Sequence, residues 1–121
     1  MDYSQLSDFE INKRVAEATG TQIEETYQFV NGGEDIIDHM SGIVLMRKIT
    51  SNRKHWKLYD PCNNPADAWQ IIESNRISIR NRYEGDWKAE NEWGESRFHV
   101  ACNPLRAAMI VFLMMQDAKH A

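Results

Sequence analysis

Four residues of metal-binding type stand in two pairs, His55 with Cys62 and His99 with Cys102. Imidazole nitrogens and thiolate sulfurs together suit a tetrahedral zinc ion, so convergence of the two pairs would supply a full ligand set. Their intervals, six residues and two, are not those of a zinc finger or ribbon. Buried thiols and solvated histidines are therefore the expected state, with no metal and no cofactor. A single Cys62–Cys102 bridge stays open, and in a reducing compartment both would be free thiols. Asp60 with Cys62 is the nearest approach to a reactive couple. A neighbouring carboxylate raises a thiol's pKa, which is wrong for a nucleophile unless the amino end of a following helix outweighs it. The chain has no glycine-rich phosphate loop, no nucleophile elbow, no histidine pair at helical spacing and no carboxylate dyad in apolar sequence. No catalytic residue is assigned, and a small enzyme ranks last among the functions considered.

Two stretches have binding chemistry instead. Arg47, Lys48, Arg53, Lys54, Trp56 and Lys57, with Tyr59 beside them, combine cations for phosphates with aromatic faces for bases, which is how single strands of nucleic acid are held. The structural alternative is that these cations pair with the acidic strand carrying Glu24 and Glu25. An overall pI near 5.5 also weighs against a dedicated nucleic-acid binder. Trp87 and Trp93, set among Glu84, Asp86, Glu90, Glu92 and Glu95, form an acidic aromatic segment that can anchor a protein partner. Trp93, between Glu92 and Gly94, is the expected exposed anchor, while Trp87 shares parity with Ala89 on the inner face. The partner-binding candidates are thus Trp93, Trp87, Glu90 and Glu92, against the plainer reading of an ordinary hairpin loop. Trp69 is expected in the core.

The elements that must position these residues are legible from caps and periodicity. Ser7 and Glu10 form a capping box, and Leu6 and Ile11 can staple across it. Ile11, Val15 and Ala18 then recur at helical spacing while Asn12, Lys13, Arg14 and Glu17 stay wet, and Gly20 offers a left-handed stop. A helix over about 8–18 follows. Thr21 to Asn31, Ile43 to Ile49 and His55 to Tyr59 read as extended. Asn31-Gly32-Gly33 supplies a turn, Ser51-Asn52-Arg53 a break, and 34–40 is either loop or short helix. Asn64-Pro65 opens a second helix with Trp69 and Ile72 as its buried stripe. Ile77 to Arg80 and Trp87 to Glu90 alternate around Glu84-Gly85-Asp86 as a hairpin, and Arg97 to Val100 makes a last short strand. Asn103-Pro104 opens a final helix, apolar from Leu105 to Met115 on nearly every face except Arg106, as a helix surrounded by protein would be.

A chain of 121 residues fits one domain, 1–121, able to bury roughly two-thirds of its unfolded surface. No basic-then-apolar leader is present, and the longest apolar run falls well short of a bilayer span, so a cytoplasmic protein without membrane contact is expected. The net charge of −4 is unevenly spread: residues 1–42 hold nine acids against two bases, and 43–83 hold eight bases against three acids. Opposite halves of this kind can also meet between copies, which keeps a homo-oligomer open.

The segment Tyr59-Asp60-Pro61-Cys62-Asn63-Asn64-Pro65-Ala66-Asp67-Ala68-Trp69, then Ile77-Ser78-Ile79 and Asn103-Pro104-Leu105-Arg106-Ala107-Ala108-Met109, resembles the NinX-like family of lambdoid phages and enteric prophages. The opening Leu6-Ser7-Asp8-Phe9-Glu10-Ile11-Asn12-Lys13 is similar too, whereas 21–55 carries no such likeness. The order of elements is also similar to that of phage domains described as α-β-α sandwiches. It implies an α+β fold, a small antiparallel sheet of four to five strands packed with three helices. The resemblance implies a phage or prophage accessory protein in the bacterial host cytoplasm and assigns no activity. From the sites, the leading expectation is a non-enzymatic module that binds a host or phage protein. Nucleic-acid binding through 47–59 is the alternative.

Overall fold

A computed structural model describes residues 2–27, 43–48, 56–91 and 97–119. After a single 3-10 turn at Tyr3–Gln5, the described elements run α1 (Asp8–Thr19), β1 (Ile23–Tyr27), β2 (Ile43–Lys48), β3 (Trp56–Leu58), α2 (Pro65–Ser74), β4 (Ile77–Asn81), β5 (Trp87–Asn91), β6 (Phe98–Ala101) and α3 (Pro104–Lys119). The α+β class holds, with three helices and antiparallel strands. In place of one sheet of four or five strands, the six described strands form two three-stranded sheets, ordered β1-β2-β3 and β4-β5-β6. The chain between them, from Tyr59 to Ser74, turns into α2 instead of adding a seventh strand, and this separates the two ladders.

The helix boundaries follow their caps. The Ser7 hydroxyl accepts from the Glu10 amide at 3.2 Å, and the Glu10 carboxylate answers to that hydroxyl, also at 3.2 Å. Gly20, at φ 73°, closes α1 in the left-handed region that only glycine enters freely. Asn64 accepts from the Ala66 amide at 3.0 Å with Pro65 in the first turn of α2. Asn103 likewise accepts from the amides of Leu105 and Arg106 at 2.9 and 3.2 Å.

Helix α3 is the middle layer. Ala107 to Leu113 are all buried, as the unbroken apolar run requires. One side of the helix meets β4, β5 and β6, and the other meets α1 and α2. Ile11 and Val15 from α1, Ile71 and Ile72 from α2, and Ile77 and Ala89 from the sheet join it in one cluster. A smaller cluster of Ala16, Leu45 and Tyr59, with Phe9 and Ile23 against it, fastens α1 to the first sheet. Through α1 the layers therefore run second sheet, α3, α1, first sheet, while α2 packs on α3 and the start of β4. The outer face of β4-β5-β6 carries Arg80, Lys88 and Glu90 in mutual ion pairs and needs no helix over it.

Two side-chain placements differ from expectation. Trp69, expected in the core, is 61% exposed. The buried face of α2 is filled by Ala68, Ile71 and Ile72, and Trp69 lies one residue, about 100° of helix, off that stripe. Asn12, expected in solvent, is only 5% exposed, for a reason that lies in the next cluster of residues.

Candidate functional site

All three helices begin at one polar cluster, and the turn 60–64 is its centre. The amides of Asn63 and Asn64 donate to the Asp60 carbonyl at 3.0 and 2.7 Å, which folds the turn tightly before Pro65. Asn12, reaching in from α1, donates to the Asp60 carboxylate at 2.8 Å and accepts from the Cys62 amide at 3.0 Å. Asn63 donates to both Asp60 oxygens and to Asp8, each at 3.1 Å. From the start of α3, the Asn103 side chain donates to the Cys62 carbonyl at 2.8 Å and to the Asn63 side-chain oxygen at 2.9 Å. Arg106 completes the ring, with one nitrogen 2.7 Å from Asp8 and the other donating to the carbonyls of Leu6 at 2.7 Å and Ser4 at 3.3 Å. Helix starts are partly positive. Two carboxylates, Asp8 and Asp60, stand where three such ends gather.

This cluster is stabilising chemistry, and its groups are held quiet. Burial first, then the charges of Asp8 and Asp60, push the Cys62 thiol far up, with Arg106 pulling weakly the other way. The sequence gives the right direction through Asp60, but the larger causes are burial and Asp8, which lies 54 residues away. Such a thiol stays protonated and inert. His99, half-buried on β6, has its pKa lowered by burial and then by Arg106, against a smaller opposite pull from Asp2. Among the described residues the single buried side-chain oxygen or nitrogen without a hydrogen bond is Asp86 Oδ1, far from this cluster in sequence, which Arg82 nonetheless faces at 3.4 Å. Cys62 is buried and Cys102 exposed, both as free thiols. Among the described residues no group of three or more His, Cys, Asp or Glu is placed to hold a metal ion. His55 lies outside the described residues.

The remaining sequence candidates divide between sheets. In β2 and β3 the register sets Arg47 opposite Lys57 and Lys48 opposite Trp56, gathering basic positions on one two-strand ribbon. On the other edge of β2, Glu25 stands opposite Leu45 and Glu24 opposite Met46, and the partner of Glu25 is Lys13 of α1 at 2.8 Å. Arg53 and Lys54 lie outside the described residues, as do Glu92, Trp93 and Glu95, the turn at 31–33 and the segment 34–40. On β5, Trp87 is half-buried and shares its face with buried Ala89, as parity requires. Glu90 points the other way and pairs with Arg80 at 3.4 Å and Lys88 at 3.7 Å. The Lys88 ammonium also stands 4.6 Å from the ring centroid of Phe98, itself 54% exposed.

Trp69 is the aromatic that sequence reasoning misplaced. Its indole borders a shallow hollow of about 330 Å³ between α2 and the start of β4, with Ile72 and Ile77 at the floor and Glu73 and Arg76 at the rim. The signal available was its offset from the Ala68–Ile72 stripe, outweighed by the general tendency of indoles to be buried.

No curated protein matches the chain. A model of the family described as Bacteriophage P22, NinX matches residues 2–116, which takes in the described elements almost entirely, from the first turn through most of α3. The chain belongs to that family of phage proteins.

Proposed function

We propose that this phage accessory protein acts by binding another protein, of host or phage origin, in the host cytoplasm, with no chemistry of its own. The observation that carries this reading is Trp69. An indole is costly to leave in water, and tryptophan is among the residues that most often anchor a protein interface from the centre of a small apolar depression. The hollow beside it, floored by Ile72 and Ile77, fits an apolar side chain from a partner segment. The Cys62 thiol, buried and held protonated, is poorly placed to act as a nucleophile.

Capture from phage-infected cells, followed by reconstitution with the purified partner, tests it. A protein retained by the wild-type chain and lost by Trp69→Ala, with the variant's melting temperature unchanged, is the expected result. Equal retention by both, with Trp93→Ala as the discriminating control, would move the contact to the acidic aromatic segment.

A second reading, nucleic-acid binding, draws on the opposition of Arg47 and Lys57 across β2 and β3. A mobility-shift titration decides it, because a phosphate binder loses affinity steeply with salt. No shift at low salt removes it.

A further inference from the structure

The ends of the helices opposite the polar cluster surround a cavity of about 380 Å³. Its wall includes the last turn of α1 at Thr19, the end of α2 at Asn75, and Phe112 and Gln116 of α3, together with Tyr59 and Asp67. Helix C-terminal ends carry partial negative charge, and neither α1 nor α2 has a basic residue in its last turn to offset it. Among the described residues, those lining the cavity include no Lys, Arg or His.

Asp67, from the first turn of α2, brings a carboxylate to the same cavity wall. The residue is only 9% exposed, and one carboxylate oxygen accepts from the Asp60 amide at 3.0 Å. The side chain forms part of the cavity wall, and neither of its oxygens is among the buried atoms left without a hydrogen bond. A cation entering the cavity would meet this carboxylate as a counter-charge. The aromatic faces of Tyr59 and Phe112 suit a cation with an alkyl body, and the amides of Asn75 and Gln116 and the Thr19 hydroxyl can accept from its N–H groups. Phosphates and carboxylates are disfavoured by Asp67, the charged side chain among the described residues of the wall.

We infer that this cavity is a binding site for a small free organic cation, an alkylammonium or alkylguanidinium, with Asp67 as its counter-charge. The site is independent of the Trp69 surface, and either can fail without the other.

Titration of the isotope-labelled protein with putrescine and agmatine tests the inference, with 1,4-butanediol and inorganic phosphate as controls. The expected result is saturable shifts at Thr19, Thr21, Asn75 and Gln116 with both amines and none with either control. Asp67→Asn retains an oxygen for the Asp60 amide and should weaken amine binding by roughly tenfold or more. Gln70→Lys, an exposed change at the rim, keeps the experiment decisive if Asp67→Asn fails to fold, because its own ammonium should compete and abolish the shifts. Absence of saturable shifts with the wild-type protein, equal shifts with butanediol, or amine binding unchanged in Gln70→Lys would overturn it.

Discussion

Asp60 and Asp67 are joined by a hydrogen bond, yet their carboxylates live in opposite surroundings. That of Asp60 takes bonds from Asn12 and Asn63 at the positive starts of three helices. That of Asp67, in the first turn of α2, accepts from the Asp60 amide with one oxygen and lines a cavity instead of being enclosed by side-chain amides. The first region is closed by its own chain, and its polarity fixes the relative placement of the helices. In the second, polarity is left with space in front of it. A cluster of Asp and Asn is therefore poor evidence of a binding site until the partners of each atom are counted.

The most severe way to break the closed region is Asn12→Ala. It removes one donor to Asp60, which keeps Asn63 among its side-chain donors, and leaves the buried Cys62 amide without its acceptor, and should cost about 2–4 kcal/mol. Urea unfolding measures it, and a loss below about 1 kcal/mol would mean the cluster is not holding the helices together. Arg106→Met should cost somewhat less, about 2 kcal/mol, since Asp8 is partly exposed and can rehydrate.

A pH series sharpens the same comparison. The folded-state pKa of His99 lies below its unfolded value, so the unfolded chain binds the proton more readily. Its contribution is present in full above about pH 6.5 and declines as pH falls from there through the folded pKa. His99→Gln should flatten that part of the stability profile, and an unchanged slope between wild type and variant would remove His99 as its source. Trp69→Ala should have the smallest effect, within about 0.5 kcal/mol, because the indole is mostly in water. A larger loss in the same urea experiment would return Trp69 to a packing role.

Local physics made much of the architecture readable. Ser7, Asn64, Asn103 and Gly20 each act within a few residues, so helix ends could be placed from sequence alone, and alternation placed β4, β5 and β6. Asn12 was illegible because its partners are 48 and 50 residues away, and a polar residue at helical spacing reads as solvent-facing. Asp67 was legible as a first-turn acid of α2 but not as a cavity wall, since that depends on where α1 and α3 end. Trp69 shows the converse error: its bulk suggests burial, while the volume beneath α2 was already filled by smaller residues.

The Tyr3 hydroxyl donates to the Asp117 carboxylate across 114 intervening steps of chain, and Arg106 grips the carbonyls of Ser4 and Leu6. Burial and this bond together raise the tyrosine's pKa to about 12. During synthesis, the residues ahead of α1 thus wait for those of α3 before they find these contacts. Assembly of the central layer is correspondingly a late event, and the apolar face of α1 stays uncovered until α3 emerges.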